Sequence, residues 1–96
     1  MYLKIYKSEG QRLVAACDEE VLGKTLKHGN AVVEISKAFY GEESVSEEEL
    51  QKALEEAMTA NLFGEKTIKC AIKCGIIDPD SVIMIDSVPH AQVFRV

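Results

Sequence analysis

The sequence predicts an α+β fold, a two-layer sandwich in which two main helices cover one face of a largely antiparallel sheet, in the order β-β-short α-β-α-α-β-β. Three observations predict it. Residues 45–75 spell out a capped amphipathic helix, a break, and a second helix with its own stop signal. Short runs of β-branched, aromatic and aliphatic residues lie on both sides of that stretch. At 96 residues with 47% hydrophobic content the chain supports one modest core, so residues 1–96 are expected to form a single domain.

Taken in order, Tyr2–Lys7 and Arg12–Cys17 flank Ser8-Glu9-Gly10-Gln11 and predict a hairpin. Asp18 is placed to cap a short helix over 19–22, with Gly23 supplying a left-handed exit. His28-Gly29-Asn30 reads as a turn, 31–36 as a third strand, and Phe39-Tyr40-Gly41 as the start of an acidic loop. Ser46 and Glu49 form a capping box, in which each side chain satisfies the other residue's free backbone donor, and Val45 and Leu50 form its hydrophobic staple. From there Leu50, Ala53, Leu54, Ala57, Met58 and Leu62 recur at intervals of three and four, which carries the first long helix to about Leu62 with Asn61 on the same stripe. The second helix is predicted from Gly64, burying Ile68, Ala71, Ile72 and Ile76 and stopping at Gly75 ahead of Asp78-Pro79. The run 82–85 is apolar without alternation and predicts a central or doubly covered strand. Val88-Pro89 marks a bend, and 91–96 the last strand.

Composition narrows the function classes. The longest apolar runs fall far short of the roughly 20 residues that span a bilayer, and the N-terminus lacks a signal-peptide pattern, so a cytoplasmic protein with no membrane partner is expected. Three cysteines, two of them one helical turn apart at Cys70 and Cys74, do not make a disulfide framework. Net charge is −5, but seven of the 16 acids and one of the 11 bases lie in 42–56, leaving 9 acids against 10 bases elsewhere. A nucleic-acid contact is therefore compatible with the chain, although no concentrated basic stripe with interleaved aromatics announces one.

No catalytic set, metal site or cofactor motif emerges. Cys70 and Cys74 share a helix face at a spacing compatible with two metal ligands, and Cys17, His28 and His90 are the residues available to complete such a set. Small apolar filling is favoured for the two cysteines over metal, because structural zinc cysteines are usually paired in a knuckle or loop. His90, after Pro89 at the predicted bend, is the best polar candidate; its bland role is to hold that bend by a bond to a backbone carbonyl. Asn61 interrupts an apolar stripe, so it either satisfies backbone at the helix break or faces a ligand with Gly64 at the second helix's N-terminus, where free N–H groups attract anions. Gly64-Glu65-Lys66-Thr67 lacks the glycine spacing of a P-loop. Lys66, Lys69 and Lys73 group along one side of that helix as nucleic-acid candidates. The six aromatic residues are expected in the core or at its rim.

Several motifs carry a family resemblance: Leu3-Lys4-Ile5-Tyr6, the run from Leu13 to Lys24, Phe39-Tyr40-Gly41, Ala60-Asn61-Leu62-Phe63-Gly64-Glu65, and Val88-Pro89-His90-Ala91-Gln92. On these the chain closely resembles the small archaeal proteins of domain-of-unknown-function family 424. Members of that family often have two glycines before Val-Pro-His, where this chain has Asp86 and Ser87. The resemblance implies an archaeal, cytosolic α+β protein and brings no activity with it. Its most recognisable motifs match Asn61, Gly64, Pro89, His90 and Gln92, with Asp18 and Lys24 next, and these are the ligand-binding candidates.

Three functions compete. The first is a non-enzymatic binding or accessory module, associated with RNA or a ribonucleoprotein through a surface around His90 and the three lysines. The second is a small-molecule-binding protein or enzyme using His90 and Asn61, which requires the two to share one side of the fold. The third is a protein-interaction or homodimer module in which the last strand extends a sheet across a two-fold axis.

Overall fold

Alternation along three central strands sorts the apolar residues to two sides of one sheet. The computed structural model describes residues 1–95. Along the chain run β1 (Tyr2–Ser8), β2 (Gln11–Cys17), a 3₁₀ turn (Glu19–Val21), β3 (Thr25–His28), β4 (Ala31–Glu34), α1 (Lys37–Tyr40), α2 (Glu47–Glu55), β5 (Thr59–Phe63), α3 (Glu65–Lys73), a second 3₁₀ turn (Pro79–Ser81), β6 (Ile83–Ile85) and β7 (Val88–Phe94). The sheet has the order β1-β2-β5-β7-β6, and β3-β4 form a separate hairpin. β2 and β5 are parallel and the other three pairings antiparallel. The α+β class, the largely antiparallel sheet and the two main helices on one face are as expected.

Val14, Ala16, Ala60, Leu62, Ala91 and Val93 point to the helix side and pack with Leu50, Leu54, Ile68 and Ala71. Ala15, Cys17 and Phe63 point the other way, under Val21, Leu26, Ile35 and Tyr40, so the small hairpin and α1 cover part of the second side. The capping box at Ser46 and Glu49 is present and starts α2. No helix among the described residues is long and apolar enough to cross a membrane.

Several expected elements are corrected. The first long helix stops at Glu55, and Thr59–Phe63 is a strand paired on both edges. Met58 and Leu62, four apart, fit both periods, and two flanking strands outweigh local helix preference. Asn61 therefore sits in the sheet. The run expected to be central, 82–85, yields the edge strand β6, with Ile83 and Met84 exposed. Pro89 lies inside β7, and the reversal falls at Asp86 and Ser87, whose φ values of 51° and 68° make the tight turn. Phe39 and Tyr40 belong to α1, begun by the Ser36 side chain accepting from the Phe39 N–H. Val96, counted in the expected last strand, lies outside the described residues.

Candidate functional site

The candidates separate into two groups, one closed and one open. The closed group lies where β2, β5 and β7 meet the N-terminus of α3. Asp18 does not cap the short turn that follows it. Its carboxylate, 1% exposed, instead reaches across 48 residues and accepts from the Lys66 N–H at 2.9 Å. It also accepts from the Thr67 N–H and Thr67 Oγ1, both at 2.8 Å. A negative charge at a helix N-terminus is favourable, and here it occupies donors that an anionic ligand would need. Gly64, the residue before α3, has φ 110°, and a Cβ there would stand 2.4 Å from Asp18 Cγ. Its N–H donates to the Pro89 carbonyl at 2.9 Å. Asp18, Gly64 and Pro89 thus form an internal lock, which corrects the expectation of a ligand-facing α3 N-terminus. Thr67, fully buried, was missed as its fourth member, because nothing within a few residues of it in sequence signals a partner 49 residues away.

The lock also silences a thiol. Burial, then the adjacent Asp18 charge, pushes the Cys17 pKa up to about 12, so it stays protonated at neutral pH. Burial likewise raises the Cys70 thiol, which points at the Glu47 carbonyl beside α2.

The open group lies on the sheet face away from the helices. Register pairs Asn61 with Gln92 and Phe63 with His90, so alternation puts all four side chains on that face. Gln92 Nε2 donates to Asn61 Oδ1 at 3.2 Å. His90 Nδ1 lies 2.9 Å from the Leu62 carbonyl, and its ring stacks on Phe63 at a centroid distance of 4.0 Å. A carbonyl only accepts, so Nδ1 carries the hydrogen and Nε2 of the neutral ring is an acceptor. Burial lowers the His90 pKa below its ordinary 6.5, against the smaller opposing effect of the Leu62 carbonyl. No buried side-chain nitrogen or oxygen among the described residues lacks a partner, and Nε2 has none, so this atom reaches solvent. His90 bonds a backbone carbonyl as its bland role required, but on the neighbouring strand rather than at a bend.

Further along the same face stands Phe94, 78% exposed, on the cross-strand row of Thr59. It is the aromatic that departs from the expectation of a place mainly in the core or at its rim; strand alternation from His90 and Gln92 was the signal for its face. Cys17 shares a cross-strand row with His90, but Phe63 stands between them, so no thiol–imidazole pair forms.

The remaining candidates do not join either group. Lys24 holds the chain before β3, its carbonyl accepting from the Ile35 N–H at 2.9 Å while its side chain is exposed. Lys66, Lys69 and Lys73 are on the exposed side of α3, which packs by Ile68 and Ala71 against the helix side. The sheet therefore separates Lys69 and Lys73 from His90, and the single surface expected from the two is corrected. Among the described residues no group of three or more His, Cys, Asp or Glu is arranged to hold a metal ion.

Comparison with known proteins agrees with this fold. A family model described as "Protein of unknown function (DUF424)" matches residues 6–96, which is the archaeal family the sequence resembles. Among solved structures, an uncharacterized conserved protein from Methanopyrus kandleri matches with a TM-score of 0.80 and 25% sequence identity, over 99% of this chain and 93% of that one. No curated protein matches the chain.

Proposed function

We propose that the chain, which belongs to the DUF424 family, is a non-enzymatic binding module that holds an unpaired stretch of RNA, free or within a ribonucleoprotein, against the open part of its sheet. One observation carries the reading: Asn61, Gln92, the outward nitrogen of His90 and the exposed Phe94 ring lie on one face of β5 and β7. An exposed aromatic beside amide donors and acceptors is the combination that stacks a splayed-out base and bonds its edge. Five of the seven acids of 42–56 are carried by α2 or its flank on the helix side, so they do not line this face. The small-molecule or enzyme reading keeps the requirement that His90 and Asn61 share one face, but it has less support, since the Cys17 thiol stays protonated and Phe63 separates it from His90.

Asn61, Gln92 and Phe94 are uncharged, so stacking and neutral hydrogen bonds supply most of the affinity in this reading. Fluorescence anisotropy with a labelled single-stranded RNA of mixed sequence tests this. Saturable binding is expected near 50 mM salt, with a shallow salt slope of about −1 or less, equivalent to one or two phosphate contacts. Phe94→Ala should weaken it by about tenfold, in the range of one lost stacking partner. Absence of binding even at low salt removes the reading.

A second reading has its own support. The Gly64 N–H to Pro89 carbonyl bond and the Arg95 N–H to Met58 carbonyl bond show that the backbone groups of odd-numbered β7 residues point to β5. Those of Gln92 and Phe94 then point outward, beyond the last residue of β7 that β6 pairs, His90. Such an edge can accept a strand from another polypeptide, a second copy included. Sedimentation showing a concentration-independent monomer counts against the homodimer form.

A further inference from the structure

β1 forms the edge of the sheet farthest from β6, and part of it is unpaired. The Leu3 N–H donates to the Glu43 carbonyl at 3.2 Å, and the Val45 N–H to the Met1 carbonyl at 2.8 Å. The backbone groups of odd-numbered β1 residues therefore point away from β2. Residues 43–45 cover this edge only around the bridge between Tyr2 and Ser44. Ile5 and Lys7 come next, and no backbone group among the described residues bonds to their outward N–H and C=O groups. Edges of this kind are usually blunted by a bulge, a proline or a charge. Yet β1 pairs with β2 over all seven residues without a bulge, and the side chain at its middle is Ile5, 42% exposed. The neighbouring Lys4 is turned to the other face of the sheet, where its amine donates to the Ala38 carbonyl at 2.9 Å.

Ile5 borders a groove of about 580 Å³ between β1 and α2, floored by Leu3, Val45 and Ala53. An unpaired strand edge beside an apolar groove suits an extended peptide, whose backbone completes the ladder while alternate side chains enter the groove. Charge selects the occupant. Glu43, Glu49, Glu56 and Lys52 rim the groove, and Glu56 is paired with Arg12. That leaves two carboxylates against one amine, within a stretch, 42–56, of seven acids and one base. The Glu43 backbone is bonded to Leu3 and the Glu49 side chain to Ser46, so both acids lie towards the Leu3 end, with Lys7 and its cross-strand neighbour Arg12 at the other. We infer that this groove docks an extended segment of another protein, which adds a strand at Ile5 and Lys7, lays an apolar side chain beside Ile5 and brings a lysine or arginine to Glu43 and Glu49. A second copy of the chain fits less well, because pairing of two β1 edges joins two molecules of net charge −5 with their glutamate-rich α2 helices on the same side of the sheet.

The test uses the full chain and an end-blocked pentapeptide with valine at its centre, threonine at its second and fourth positions and arginine at both ends, so that either strand direction presents the same side chains. Titration to about 1 mM peptide should shift the Ile5 and Lys7 amide resonances saturably, and hydrogen exchange at those two amides should slow by about tenfold. Replacing both arginines by glutamate should weaken binding by about tenfold, and Glu43→Gln in the protein by about threefold. Ile5→Lys charges the edge at an exposed position and should abolish the Lys7 shift while the resonances of α3 and β7 stay in place. Equal affinity for the two peptides overturns the choice of a basic partner. Shifts confined to the Gln92 and Phe94 amides, or no shift at all, overturn the site. Protection of Ile5 and Lys7 that grows with protein concentration in the absence of peptide assigns the edge to a second copy and overturns the inference as well.

Discussion

The junction at the head of α3 and the open part of the sheet contain polar residues of similar kind, and they differ in where their hydrogen bonds end. At the junction the Asp18 carboxylate spends its capacity on Lys66 and Thr67 of its own chain. On the open face Asn61 and Gln92 spend one bond on each other, and His90 one on Leu62, leaving donors and acceptors directed outward. A polar residue in an apolar setting therefore marks a binding site only when its partners inside the fold are fewer than its bonding groups. The junction would look like an anion site from sequence, yet it already contains its anion.

This contrast is broken most severely at Gly64. Gly64→Ala puts a Cβ into the Asp18 carboxylate at a φ of 110°, and a loss of about 3 kcal/mol or more is expected in urea unfolding. Asp18→Ala strands the Lys66 and Thr67 donors and should cost about 2 kcal/mol. The diagnostic is their combination. Asp18→Ala removes the Cγ and Oδ1 that the added methyl would meet and leaves the residue-18 Cβ 2.6 Å from it, so the relief is partial and the double variant should be more stable than the sum of the two losses by about 1 kcal/mol. Strict additivity would mean that the carboxyl group is not what demands glycine.

His90 belongs to both regions in part, being held from within and presenting one nitrogen outward. Its folded pKa is lowered below 6.5, so as the pH falls the unfolded chain takes up this proton first. Stability tied to the neutral ring is complete above pH 6.5 and is lost as the pH drops from there towards the lowered folded value. Urea midpoints at about pH 7.5 and about pH 5.5 should therefore fall further for the unaltered protein than for His90→Phe. An equal fall in both would assign the acid sensitivity to other groups.

Much of this was legible in the sequence, and the failures have physical causes. The capping box at Ser46 and Glu49 is a contract between residues three apart, so local reading finds it. The Asp18–Thr67 contact joins residues 49 apart, and no local pattern encodes it. Met58 and Leu62 satisfy helix and strand periods together, and only pairing with β2 and β7 decides between them. Asn61, His90 and Gln92 were singled out by residue type and motif, but their common face follows from strand register, which requires knowing that β5 exists.

The turn between β6 and β7 offers a smaller and opposite effect. Asp86 and Ser87 both adopt left-handed backbone, a conformation in which a side chain is disfavoured, and this is where glycines suit the chain. Ser87→Gly should stabilise the protein by about 0.5 kcal/mol, the strain relieved exceeding the entropy that glycine adds to the unfolded chain. Asp86→Gly should gain less, since Asp86 Oδ2 also accepts from the Lys27 N–H at 3.3 Å. Thermal unfolding of the two variants checks the order, and a destabilised Ser87→Gly would show that Ser87 has a role the turn does not explain.

The least effect on stability is expected where the effect on binding is greatest. Gln92 is exposed and Asn61 half-buried, and each loses one bond that water can replace, so Asn61→Ala and Gln92→Ala should shift unfolding by no more than about 0.5 kcal/mol. In the same samples affinity for single-stranded RNA should fall severalfold, because those amides then have nothing to offer a base edge. The pairing of the two readouts is what separates the regions. Asp18→Ala should unfold the junction without altering the contact surface of the molecules that remain folded. If Asn61→Ala instead costs as much stability as Asp18→Ala, the amide pair is as structural as the lock, and the open face loses its claim to be a site.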